Sequence, residues 1–243
     1  MKILEKLNSR QKAFVNHRPV LIACIGDSVT HGCFEVFLNE ERHVDTVCRA
    51  HEAYPALLAA ELGKMYPFAS PNIINAGVSG DNAVNGLKRL SRDALSFNPD
   101  LVIVDFGLND SMNPDVDGGL ERYEKAMRGI FESVLASGAE CILLTPNYMC
   151  TYVSHNLKDE TLIDIAKDAS RVQNDGVLLR YVNAARKAAR EMNVPVADAY
   201  DVWQKLEKAG VDVTKMLSND INHPSKEAHG IFVRALMETI FEN

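Results

Sequence analysis

The sequence has no long apolar run. Its most hydrophobic stretches, 20–25 and 101–104, are far shorter than the roughly 18 to 20 residues of a membrane-spanning helix, so no membrane insertion is expected. The amino terminus, MKILEKLNSRQKAFVNHRP, lacks both a continuous hydrophobic core and a small-residue cleavage site. It does not read as a signal peptide, and a cytoplasmic location is the expectation. Positive charge is also scarce. Lys and Arg number 26 against 33 Asp and Glu, a net charge of -7, which argues against a nucleic-acid partner needing a basic patch. Neither a Gly-x-Gly-x-x-Gly nor a P-loop lysine motif occurs, which disfavours a nucleotide-binding module. The five cysteines, Cys24, Cys33, Cys48, Cys141 and Cys150, are odd in number and form no Cys-x-x-Cys pair. Cys24 and Cys141 sit inside apolar runs, where a thiol behaves as a small hydrophobe, so reduced and mostly structural cysteines are expected.

What is present is an alternation of strands and helices. Short apolar runs at 20–25, 72–75, 101–104, 141–144 and 194–198 read as buried strands. Between and after them, helical spacing marks 54–62, a segment ending near Leu95, a helix opened by Gly118-Gly119 and stopped at Gly138, and then 176–192, 199–209 and 225–241. Ser79 or Asp81 is expected to cap the helix ending near Leu95. Residues 1–16 mix Leu4, Leu7, Phe14 and Val15 with charges, as in an amphipathic helical extension lying on the domain through about residue 18. Two stretches resist assignment. Residues 33–52 read as a charged surface excursion, and 147–175 as a long loop with one helix around 161–169. With no composition break and no repeat, the 243 residues are expected to form one α/β domain, a parallel sheet with helices on both faces.

Polar residues gather at the ends of those strands. Gly26-Asp27-Ser28 closes the first, Gly77 to Gly80 follow the second, and Asn109 follows the third. Asp220 and His223 lie in a late polar loop. In a parallel sheet such loops converge on one edge. A serine is a weak nucleophile that needs a base, usually histidine, and the histidine needs an acceptor on its other nitrogen. Acyl transfer also needs donors for a developing oxyanion, and the N–H groups of Ser28 and Gly80 and the Asn109 amide are of the right type. Competing readings exist. His31 is nearer Ser28 in sequence, though three residues along a loop rarely gives general-base geometry; His17, His43, His51, His155 and His229 read as solvated or structural. Asp220 and His223 are also zinc-ligand types, but no third ligand stands at sensible spacing. Asn109 and Asp110 are turn formers too, Asp27 reads as a loop-holding residue, and Tyr148, Met149 and Tyr152 either line a pocket or anchor a loop.

These residues resemble the blocks of the GDSL, or SGNH, hydrolase family. The first block matches Gly26, Asp27, Ser28 and Thr30, with Val29 where Leu is frequent. The glycine block matches Gly80, the Gly-x-Asn-Asp block Gly107, Asn109 and Asp110, and the Asp-x-x-His block Asp220 and His223, followed by Pro224. Each block alone is weak; four in order over most of the chain are specific. There is no Gly-x-Ser-x-Gly elbow of the α/β-hydrolase kind. The resemblance implies a three-layer α/β/α sandwich with a flavodoxin-like parallel sheet and a serine esterase requiring neither metal nor organic cofactor. Ser28 is then the nucleophile, His223 the base, Asp220 its orienter, and Ser28, Gly80 and Asn109 the oxyanion hole. Activity is expected to fall on acidification with a midpoint near neutral pH. The expected substrate is a small-molecule ester, first an acetyl or other short acyl group on a carbohydrate or similar polar alcohol. A lysophospholipid or thioester comes second, and a non-catalytic binding domain of the same fold is the remaining alternative. The sequence leaves the oligomeric state open.

Overall fold

Alternate side chains of the first apolar run face opposite ways, as strand geometry requires. Ile22 and Cys24 enter one buried cluster, Ala23 and Ile25 another. The chain is described by a computed structural model covering residues 1–242. In order, it forms α1 (Lys2–Lys12), β1 (Leu21–Gly26), the one-turn α2 (Ser28–His31), β2 (Cys33–Leu38), β3 (Val44–Cys48) and α3 (Tyr54–Met65). Then come β4 (Asn72–Gly77), α4 (Ala83–Asp93), β5 (Leu101–Asp105), the short α5 (Leu108–Ser111), α6 (Val116–Ala136) and β6 (Glu140–Leu144). The remainder is α7 (Glu160–Asn174), α8 (Val177–Glu191), β7 (Val196–Ala197), α9 (Ala199–Lys208) and α10 (His229–Glu242).

The central sheet has five strands in the order β4-β1-β5-β6-β7, all parallel. Its central strands are continuous apolar runs because both faces are covered. Helices α1, α3, α9 and α10 pack one face through Leu7, Tyr54, Leu58, Trp203, Phe232 and Leu236. Helices α4, α6 and α8 pack the other through Leu90, Met127, Ile130, Phe131, Tyr181 and Ala185. The result is a three-layer sandwich. After β1 the chain first pairs on one side of it, through β4, and then on the other, through β5. That reversal opens a crevice at the carboxyl ends of β1 and β5, the usual ligand site of flavodoxin-like sheets.

Several local expectations are revised. Residues 33–52 do form a surface excursion beside Ser28, but an ordered one. Within them β2 and β3 pair as an antiparallel hairpin that lies outside the main sheet. The helix in the long stretch after β6 is longer than its pattern indicates, and the last helix begins at His229, the residues before it being turns. Asn82, rather than Ser79 or Asp81, caps α4, accepting from the Asn85 N–H at 3.0 Å. The first turn of α6 is capped by Asp115, so the Gly118-Gly119 pair lies inside the helix. In α1, Ile3 and Leu7 are buried, while Phe14 and Val15 beyond it are exposed. Among the described residues no helix is long and apolar enough to cross a membrane.

Candidate active site

The register levels three strand ends. Gly26 of β1 pairs with Gly77 of β4 on one side and with Asp105 of β5 on the other, so the following loops emerge together. The turn into α2 is too tight for a side chain at its start. A Cβ on Gly26 would stand 2.1 Å from Thr30 Oγ1 and 2.6 Å from the Asp105 carbonyl oxygen. Asp27 caps α2, its carboxylate accepting from the Val29 N–H at 2.9 Å. This places Ser28 on the first residue of a helical turn at the edge of the crevice, 4% exposed.

His223 arrives from the opposite side on the loop between α9 and α10, and Asn219 shapes that loop. Its Oδ1 accepts from the N–H groups of Ile221, Asn222 and His223 at 3.0, 2.9 and 2.9 Å. The Asn147 amide donates to the Asn222 carbonyl at 2.8 Å, pinning the loop to the chain after β6. His223 Nε2 lies 2.9 Å from Ser28 Oγ, and Nδ1 lies 2.8 Å from the carbonyl oxygen of Phe34. A carbonyl only accepts, so Nδ1 carries the proton and donates it there. Nε2 is left with a free lone pair for the Ser28 hydroxyl. Burial lowers the His223 pKa, opposed by the Phe34 carbonyl and the Glu35 charge, so the ring is neutral at neutral pH. The acid limb of activity is accordingly expected below the near-neutral midpoint.

Asp220 corrects an expectation. It does not orient His223, since both ring nitrogens are taken by Ser28 and Phe34. Its carboxylate accepts instead from the Asn156 amide at 3.2 Å. The reason is local: Asp220 sits at φ 57, in the left-handed region, on the turn that Asn219 organises, and this directs its side chain toward Asn156. The orienting group is a backbone carbonyl on β2, a group without a sequence signature. His31 is likewise not partnered with Ser28; it ends the same helical turn.

Gly80 follows β4 at φ 76, a conformation that costs glycine little. Gly80 and the Asn109 side chain both line the cleft that contains Ser28 and His223. One Asn109 amide hydrogen donates to the Asp81 carbonyl at 2.8 Å. An NH₂ group has a second hydrogen to offer. Beneath this loop lies Arg89 of α4, which the sequence reading passed over. Its guanidinium donates to Asp81 Oδ2 at 2.6 Å, to the Ala76 carbonyl at 2.6 Å and to the Gly26 carbonyl at 2.9 Å. One buried cation thus ties the ends of β1 and β4 to the loop bearing Gly80. Two carboxyls close by are held partly protonated near neutral pH. Burial, more than the neighbouring Asp110 and Asp81 charges, pushes Asp27 up to about 7; burial likewise pushes Asp110 up to about 7. Fully ionised, they would add negative charge beside an oxyanion.

The cleft holds about 320 Å³. Val36 and Val44 of the hairpin and Leu162 and Ile165 of α7 form its apolar wall. Tyr148 and Met149 are buried loop anchors, Tyr148 packing on Tyr200 and Trp203; Tyr152 is partly exposed and donates to Asp212 at 2.9 Å. A hollow of similar size, about 350 Å³, lies at the opposite end of the sheet. There Asp100 is fully engaged by Lys6, Arg18 and the Leu21 N–H.

A buried serine–histidine pair beside a glycine turn and an asparagine amide is the equipment of acyl transfer. The sequence profile of the GDSL-like Lipase/Acylhydrolase family matches residues 24–231. The chain belongs to this family. It is a serine ester hydrolase of the GDSL type. A search of curated proteins finds no match. Among solved structures, this GDSL-type chain is similar to an acetylxylan esterase of Geobacillus stearothermophilus, Axe2, with a TM-score of 0.65 and 21% identity over 91% of this chain and 94% of that one. It is similar to LAE5, a hydrolase from the metagenome of Lake Arreo, Spain, with a TM-score of 0.66 and 21% identity over 90% and 94% of the two chains. A two-domain esterase active on acetylated mannans, CEX, has a TM-score of 0.66 and 18% identity, covering 99% of this chain and 52% of that one. At these identities the likeness extends to the fold.

Proposed function

We propose that this GDSL-type hydrolase removes short acyl groups, acetyl first, from a carbohydrate or similar polar alcohol through an acyl-serine intermediate. The observation that carries the reading is the 2.9 Å contact of Ser28 Oγ with His223 Nε2 at the mouth of a small cleft. Neutral His223 takes the Ser28 proton as Oγ attacks the ester carbonyl carbon. The tetrahedral oxyanion receives hydrogen bonds from the N–H groups of Ser28 and Gly80 and the free amide hydrogen of Asn109. The Phe34 carbonyl accepts from Nδ1–H throughout and stabilises the imidazolium. His223 then gives its proton to the departing alcohol oxygen, and the ester C–O bond breaks. A water molecule repeats the sequence on the acyl-serine, releasing the carboxylic acid. A volume of about 320 Å³, at the low end for ligand sites, suits a small acyl group. The named activities of Axe2 and CEX on acetylated polysaccharides support the same substrate class.

The test is hydrolysis of p-nitrophenyl esters from acetyl to long acyl, with wild type and Ser28→Ala in parallel, together with acetylated xylo- and mannooligosaccharides. Activity confined to short chains and abolished in a folded Ser28→Ala variant is expected. Rates that climb with chain length would move the substrate to lysophospholipids or thioesters, and a folded protein inactive on every ester would return it to a binding role.

A further inference from the structure

A second cluster of reactive side chains sits at the open end of the hairpin, and the Ser28–His223 pair does not include it. Cys33 opens β2, Cys48 closes β3, and the two are directly opposed in the antiparallel pair. Just outside them the Arg49 N–H donates to the Gly32 carbonyl at 2.7 Å. That bond makes Cys33 and Cys48 a non-hydrogen-bonded pair, the kind in which opposed side chains come closest. Their sulfurs are 3.0 Å apart, with the Thr46 hydroxyl 3.4 Å from the Cys33 sulfur. His31, at the end of α2, supplies a third donor, and one ligand atom from each of the three residues lies within 4.8 Å of the others. His31 Nδ1 is shut off from solvent and has no hydrogen-bond partner among the described residues. Buried polar atoms in native proteins are nearly always satisfied. A ring nitrogen of the same histidine lies within 4.8 Å of both sulfurs.

We propose that His31, Cys33 and Cys48 bind a single zinc ion. Two thiolates and a neutral imidazole are a donor set that zinc favours, with the fourth position left to water beside Thr46 and the exposed Cys48. The protonation balance is Zn²⁺ plus two thiols giving a zinc dithiolate and two protons, while His31 contributes its Nδ1 lone pair with the ring proton on Nε2. Zinc–sulfur bonds of about 2.3 Å put two sulfurs about 3.8 Å apart on a tetrahedral centre, so the pair must open by less than about 1 Å. The exposed Cys48 side chain has room to do so. A disulfide is the competing chemistry, but it would consume both sulfurs and leave His31 Nδ1 unpaired. The ion would stand next to Thr46, which also lines the cleft. It would clamp the end of α2, whose first residue is Ser28, to the residue preceding Phe34, whose carbonyl holds His223.

The experiment is a titration of the full chain, metal-stripped and kept reduced by a phosphine, with zinc ion alone, followed by native mass spectrometry and calorimetry. One zinc per chain, release of two protons, a higher unfolding temperature and X-ray absorption showing two sulfurs at about 2.3 Å are expected. Cys48→Ser and His31→Gln should each weaken binding by more than about 100-fold, beyond the loss caused by removing an outer-shell partner. Each should unfold like the metal-free wild type. Failure to form a one-to-one complex at about 10 µM zinc overturns the proposal, as does binding that survives in both variants.

Discussion

Replacing Asp220 by Asn asks which group orients His223. In a triad whose carboxylate fixes the histidine tautomer, the same substitution lowers kcat by about 10⁴. Here the Asp220 carboxylate accepts from the Asn156 amide at 3.2 Å, and the nearby charge acting on His223 is that of Glu35. One exposed hydrogen bond contributes about 0.5–1.5 kcal/mol. Even if that were lost entirely in the transition state, at about 1.36 kcal/mol per factor of ten, the rate would fall no more than about tenfold. The backbone need not move, since Asn tolerates the left-handed conformation that Asp220 adopts at φ 57. Asn219, which shapes the loop, is untouched. The assay is kcat/KM for p-nitrophenyl acetate, with thermal unfolding as the control for folding. A loss within about tenfold is expected. A loss of about 10³ or more with unchanged unfolding would refute the assignment of the Phe34 carbonyl as the orienting group.

Other outcomes follow from the same geometry. Because burial holds His223 below the usual value of about 6.5 and its neutral form accepts the Ser28 proton, kcat/KM should stay level as pH falls to that value and drop only below it. An acid limb centred above about 7 would overturn this ordering. Asn109→Ala should lower kcat by about 100- to 1000-fold with the fold intact; a tenfold loss or less would reduce Asn109 to a tether for the Asp81 carbonyl. Arg89→Met leaves the buried Asp81 carboxylate and two strand-end carbonyls without their donor. It should cost about 3–5 kcal/mol in urea unfolding, and a cost under about 1 kcal/mol would show the guanidinium to be dispensable.

Local chemistry, read along the chain, already dictates part of this architecture. The run 20–25 had to be a strand buried on both faces, because six consecutive apolar residues closed by glycine fit little else at that length. Repetition of that pattern with intervening helices made the sheet parallel, and parallel strands bring their carboxyl ends to one edge. Ser28, Gly80, Asn109 and His223 were legible for this reason: each stands at a strand end or in the late loop, in the order of a known family. What the tertiary structure decided are the relations that depend on register and on backbone atoms. The Phe34 carbonyl has no side-chain identity, and β2 alternates too weakly, with burial on only part of one face, to announce the hairpin that delivers it. Asp220, three residues before His223, matched the expected spacing, yet a left-handed turn organised by Asn219 aims it elsewhere. Arg89 reads as one more charge on an amphipathic helix until the ends of β1 and β4 close around it. Cys33 and Cys48, fifteen residues apart, become neighbours only through the antiparallel register of their strands. Composition and periodicity act along the chain and are written in it; hydrogen bonds to carbonyls and contacts across strands exist only once the chain has folded.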